Sequence, residues 1–107
     1  MSFSIIPTHA FERELKRLAK KYPSFKKDFA ELLFSLKDNP DTGKSIGNNC
    51  FKIRMAISSK NKGKSGGARI ITYVKVIEEA IYLISIYDKS ETETITDREL
   101  LSRIESL

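Results

Sequence analysis

FKIRMAIS, residues 51 to 58, is where the hydrophobic period of this chain changes, and its reading settles the fold. Phe51, Ile53, Met55 and Ile57 alternate with Lys52, Arg54, Ala56 and Ser58, which describes a β-strand with one apolar face and one largely basic face. The chain before it repeats differently. Phe11, Leu15, Leu18 and Tyr22 fall at steps of four, three and four, one stripe of a helix from Thr8 to Lys21 that Thr8 can cap. Pro23 ends that helix, and Ser24 can cap a second one in which Phe25, Phe29, Leu32, Leu33 and Leu36 recur at the same period until Asn39-Pro40. Two helices about a tight corner make a hairpin whose stripes face a common core.

Working outward from the strand, residues 39–49 read as a polar loop, while residues 68–77 and 80–87 are rich in Ile, Val and Tyr and read as two more strands, the last buried on both faces. Thr96-Asp97-Arg98-Glu99 is a capping box that opens a closing helix with Leu100, Leu101 and Ile104 inward. Phe3 to Ile6 adds a possible edge strand. The expected fold is α+β: an antiparallel sheet of three to four strands with the N-terminal helix hairpin on one face and a short C-terminal helix. At 107 residues the chain makes one domain, 1–107.

Register decides which side chains meet. If the strands beginning at Phe51 and Ala68 pair antiparallel, opposed residue numbers have a constant sum. An even sum places Arg69 and Lys75 among Phe51, Ile53 and Met55, burying cations against apolar groups at roughly several kcal/mol each. An odd sum places Ile70, Val74 and Val76 there instead. It gathers Lys52, Arg54, Arg69, Tyr73 and Lys75 on the face away from the helices.

The charge distribution points the same way. Residues 42–77 carry 8 Lys+Arg and no acid, whereas residues 78–107 carry 3 Lys+Arg and 8 Asp+Glu. A basic middle third suits a polyanionic partner. The longest unbroken apolar run, Ala80 to Ile84, is far too short for a membrane span, and Ser2 to Ile6 is too short for a signal sequence. One cysteine, Cys50, forms no internal disulfide, and the expected location is the cytoplasm.

The segment SSKNKGKSGGAR, residues 58–69, contains Gly63-Lys64-Ser65, the tail of a nucleotide-binding loop, and Gly43-Lys44-Ser45 repeats it. Neither has the earlier glycine that such a loop requires; Ser58 and Asp38 stand there instead, and the first lies between two strands. The loop is long for a hairpin, where ~2 to 5 residues are usual. Its Lys60, Lys62 and Lys64 extend the basic face toward a phosphate backbone.

Taken together, the helix hairpin, Phe51-Lys52-Ile53-Arg54-Met55, Ser65-Gly66-Gly67-Ala68-Arg69-Ile70-Ile71-Thr72-Tyr73 and Ile84-Ser85-Ile86-Tyr87-Asp88-Lys89-Ser90-Glu91 resemble the RelE/ParE toxin superfamily, and within it the HigB-type RelE toxins of bacterial toxin–antitoxin pairs. The resemblance implies an mRNA endonuclease acting on the ribosome, inhibited by an antitoxin from the same operon, and meeting operator DNA only through the antitoxin complex. Lys52 and Arg54 match the family's paired basic residues and Arg69 its arginine after the glycine turn. Lys89 stands where RelE has arginine. The family's late tyrosine falls near Ile95, which has no hydroxyl.

RNA cleavage by its own 2′-hydroxyl needs a base, an acid for the leaving 5′-oxygen, and cations for the transition-state phosphate. Arg54 and Arg69 suit the last role. A lysine crowded by cations gives up its proton more readily, which makes Lys52 and Lys89 candidates for proton exchange. Glu91, Asp88 and Tyr87 are the alternatives beside Lys89, unless the two carboxylates only hold Lys89 in ion pairs. Tyr73 and Tyr87 are either aromatics at the core edge or platforms for RNA bases. His9 reads as a helix-end surface residue. With one His and one Cys there is no zinc ligand set, and no cofactor is expected. The rival readings are a ParE-type toxin that inhibits gyrase by binding, and a non-catalytic RNA-binding module.

Overall fold

The computed structural model describes residues 2–92 and 94–107. In chain order the elements are β1 (Ser4–Pro7), α1 (His9–Lys21), α2 (Phe25–Leu36), β2 (Lys44–Gly47), β3 (Cys50–Met55), β4 (Ala68–Lys75), β5 (Ala80–Asp88) and α3 (Asp97–Glu105). The sheet runs β1-β5-β4-β3-β2; β1 lies parallel to β5 and every other neighbouring pair is antiparallel. The α+β class and the helix hairpin are as expected, but the sheet is wider and mixed. Its extra strand, β2, arises inside the stretch that reads as a polar loop. All four of its residues are exposed, so no alternation marks it. What folds it back is the Asn48-Asn49 turn, whose φ angles of 53° and 62° are the left-handed pair of a two-residue hairpin.

The odd register holds: Phe51 faces Thr72, Ile53 faces Ile70 and Arg54 faces Arg69, though Val76, expected beside Ile70 and Val74, lies past the end of β4 and is exposed. One core joins Phe11, Leu18, Phe25, Phe29 and Leu36 of the hairpin to Ile53, Met55, Ile70, Val74, Ile81 and Leu83 of the sheet. Thr8 caps α1 by accepting from the Phe11 amide at 3.3 Å. Ser24 precedes α2 but does not cap it, because its hydroxyl donates to Asp28 instead, at 2.8 Å.

The face away from the hairpin carries the closing helix. Leu100 and Ile104 of α3, with Ile95, pack over Ile71, Ile84 and Tyr87. Thr96 caps α3 as predicted, but Leu101 points outward and is 44% exposed. The helices on the two faces meet at the sheet edge. Pairing of β1 with β5 stops at Leu83, leaving the later part of β5 open. Glu14 of α1 accepts there from the Ile86 amide at 3.2 Å. Arg103 of α3 donates to the Ile84 carbonyl at 2.9 Å and grips both oxygens of Glu14 at 3.0 Å. An ion pair thus blunts an edge that would otherwise offer unpaired backbone groups.

At the end of β5 the Asp88 carboxylate is fully buried. It accepts from the Tyr22 hydroxyl, from Lys60 Nζ at 3.0 Å, and from the Ser90 amide and hydroxyl at 3.0 and 2.7 Å. Burial alone would raise its pKa; the hydrogen bonds from Tyr22, Ser90 and Lys60 reverse that and hold it well below the usual carboxylate range. A depressed folded pKa stabilises the protein above the unfolded value, and that stability is lost as the pH falls. Replacing Asp88 by Asn should therefore cost about 2–4 kcal/mol at neutral pH, since it leaves Lys60 buried beside a neutral group. Urea denaturation across a pH series should show the gap between wild type and variant closing below about pH 4, where the wild-type carboxylate begins to lose its advantage.

A candidate anion-binding cleft

The cleft grows from the ladder between β3 and β4. Antiparallel pairing sets Arg54 directly opposite Arg69, and on the other side of β3 sets Lys44 of β2 opposite Lys52. These residues, with Ile46, Lys89 and Thr94, line a cleft of about 460 Å³. Two glycines allow the chain to close around it. A Cβ on Gly67 would stand 2.1 Å from the Met55 carbonyl oxygen, so only glycine lets the start of β4 press against the end of β3. Gly43, at φ +99° just before β2, also passes close, since a Cβ there would stand 2.5 Å from the Lys52 carbonyl oxygen.

Arg69 is only 4% exposed, and its Nη1 donates to two backbone carbonyls, Lys64 at 2.8 Å and Ala68 at 3.0 Å. Burial first, and then the neighbouring Arg54 charge, push its guanidinium below its ordinary value. Lys52 Nζ donates to the Thr94 hydroxyl at 3.2 Å. Among the described residues none of the cleft cations, Lys44, Lys52, Arg54, Arg69 and Lys89, has a carboxylate within salt-bridge distance. Like charges directly opposed across a ladder are destabilising, and a buried cation ordinarily has an acid beside it. Among the described residues the cleft therefore presents positive charge that no carboxylate offsets.

The structure thus brings together Lys52, Arg54, Arg69 and Lys89, and it separates others from them. Glu91 does not line the cleft: it turns to α1, where Arg17 at 3.0 Å and Lys21 at 2.8 Å hold it below the ordinary carboxylate value. Lys60 is no solvated loop lysine, since its side chain is buried against Asp88 and Ser90 and over the Tyr22 ring. The loop around it is built rather than slack. Two short 3-10 turns, Ser58–Lys60 and Lys64–Gly66, shape it. Asp28 accepts from the Ser58 amide at 2.9 Å and hydroxyl at 2.6 Å, and Ser24 Oγ accepts from the Ser59 amide at 2.9 Å. Lys62 and Lys64 remain exposed. Tyr73 leans on Tyr82, and Lys75, toward the far end of β4, pairs with Glu78 at 3.7 Å and covers Tyr82. Neither lines the cleft. Tyr87 faces Arg69 across the ladder but is buried, and its hydroxyl finds no partner among the described residues.

Sequence reasoning missed Lys44, Ile46 and Thr94. For the first two a signal existed: Asn48-Asn49 followed by a strand pattern is a hairpin signature, and the residues before such a turn pair with those after it.

No family model matches the chain. Solved structures do resemble it. A double arginine-to-alanine variant of the Escherichia coli toxin RelE in the free state is 20% identical, with 97% of this chain and 99% of that chain covered and a TM-score of 0.67. The toxin–antitoxin complex RelBE2 from Mycobacterium tuberculosis matches at 16% identity over 82% and 92%, TM-score 0.63. The same E. coli variant bound to a peptide of the antitoxin RelB matches at 18% over 91% and 98%, TM-score 0.58. The chain has the fold of the RelE toxins.

If the cleft awaits an anion, inorganic phosphate or pyrophosphate should raise the thermal midpoint more than chloride at equal ionic strength. Arg54→Met should abolish that selective response. Without added anion the variant should be no less stable than wild type, and by up to about 0.5 kcal/mol more stable, because a like-charge pair has gone. A scanning-fluorimetry titration of both proteins measures each effect.

Proposed function

We propose that this protein is the toxin of a type II toxin–antitoxin pair, of the HigB-type branch, and that it cuts messenger RNA on the ribosome without a metal. The carrying observation is the cleft itself: Arg54 opposed to Arg69, with Lys52 and Lys89 on its walls and no carboxylate paired to any of them among the described residues. Attack of a 2′-oxygen on the adjacent phosphorus builds charge on the non-bridging oxygens. Two guanidiniums already held in place stabilise that charge without reorganisation. With Glu91 engaged by α1 and Asp88 buried in its own network, the proton transfers fall to lysines. Lys52, steadied by Thr94, and Lys89, at the end of β5, are the candidates for base and acid.

Toxins of this fold have been solved with their antitoxins. The proposal gives this chain a cognate antitoxin partner, a ribosome and mRNA as its target in the cytoplasm, and operator DNA only through the antitoxin complex. A gyrase-binding toxin of the ParE kind has no use for a concave group of cations that meet no carboxylate among the described residues. A simple RNA-binding surface would not need Arg69 buried.

Primer extension along an mRNA in a translating extract should show breaks within codons. Arg69→Ala should reduce them by about 10²-fold or more, while Lys75→Ala, outside the cleft, leaves them. Intact message with wild-type protein overturns the reading. A second measurement addresses the loop. Changing Lys62 and Lys64 together to Ala should flatten the salt dependence of single-stranded RNA binding by about 1.4 in log–log slope, at ~0.7 per phosphate contact.

A further inference from the structure

We infer that the cleft has two phosphate seats one strand repeat apart, and that its substrate carries phosphates on both sides of a single nucleoside. This rests on the phosphodiester reading above and specifies it. Lys52 and Arg54 lie two residues apart on β3, so their side chains leave the same face with backbone positions ~6.6–6.8 Å apart. That is close to the separation of successive phosphates along a nucleic-acid strand. Each is then doubled by a neighbour from a different strand. Arg54 is paired across the ladder with Arg69 of β4, and Lys52 with Lys44 of β2. The result is two cation pairs in succession, supplied from opposite sides of one central strand.

The outer pair is positioned by the backbone, since Lys44 itself is exposed on the edge strand. Lys44 is held opposite Lys52 by the close approach of Gly43 to the Lys52 carbonyl and by the turn at Asn48 and Asn49. Its ammonium meets no carboxylate among the described residues. Ile46, also on the cleft wall and 39% exposed, gives an apolar surface beside that seat for the sugar or base between the two phosphates. Arg54, Arg69 and Lys89 hold the phosphate that reacts. Lys44 and Lys52 hold its neighbour and so fix the strand's register. Lys44 is a positioning residue in this scheme; Lys52 serves both seats.

The test uses the full chain and small ligands, with no ribosome. Calorimetric titration at fixed ionic strength would compare adenosine 3′,5′-bisphosphate with the 3′- and 5′-monophosphates. The bisphosphate should bind roughly tenfold tighter than either monophosphate, beyond what its extra charge gives in a variant lacking one seat. Lys44→Ala should bring the bisphosphate to within about twofold of the tighter monophosphate while leaving that monophosphate's affinity unchanged, and Lys44→Arg should restore the preference. Equal binding of all three ligands to wild type, or a uniform loss with Lys44→Ala, would overturn the two seats. A bisphosphate preference in a protein that cleaves no mRNA supports the seats and sinks the nuclease reading. Cleavage without that preference does the reverse.

Discussion

Arg54 faces Arg69 across a β ladder, and the rest of the molecule has to be stable enough to tolerate it. Cross-strand neighbours of like charge repel, and one of this pair is buried, with backbone carbonyls as its only hydrogen-bond partners among the described residues. What offsets the cost lies elsewhere. Apolar side chains of the same two strands enter the core beneath the helix hairpin, so the alternation that gathers cations on one face also gathers Ile53, Met55 and Ile70 on the other. Moving the register by one residue would relieve the repulsion and expose that core, a far larger loss. The hydrophobic face therefore enforces the electrostatic conflict on the opposite one.

Four carboxylates are committed to other work. Asp28 holds the start of the basic loop to α2, Asp88 ties the loop to the end of β5 and to Tyr22, Glu14 joins α1 to α3 across the open sheet edge, and Glu91 binds α1. Each is removed from the cleft by a partner that contributes to folding. Segregating these acids into structural staples leaves the cleft cations without a carboxylate partner among the described residues, and this makes the net charge of +5 a poor guide to the local field.

The fold was legible where periodicity was strong. The two helices, three of the strands and the odd register all follow from spacing, because burial on one face leaves a readable pattern. The cation cluster of Lys52, Arg54 and Arg69 followed from it. Where burial is weak or the decisive contact is distant, the sequence is silent. β2 is exposed along its length and carries no alternation. That Lys60 leaves the solvent for Asp88, and Glu91 the cleft for Arg17 and Lys21, depends on contacts between segments 28 and 70–74 residues apart. Tyr73 and Lys75 share a face with Arg69, yet sharing a face is not sharing a site: the strand carries them several residues away, to Tyr82 and Glu78.

The far face also shows how the closing helix bounds the site. Of the β4 residues on that face, Arg69 enters the cleft and Ile71 lies under α3. Without α3 the surface would not be a broader basic patch; it would be a basic patch beside exposed Ile71 and Ile84. Leu100 and Ile104 cover the apolar part, and the chain leading into the helix places Thr94 against Lys52 at the boundary. The cleft is therefore concave because an apolar packing requirement stops where the cations begin. The closing helix, legible from its capping box and its apolar spacing, gives no side chain to the cleft wall; it forms the apolar border beside which the cations stand, and a low dielectric at such a border strengthens arginine contacts to a phosphate.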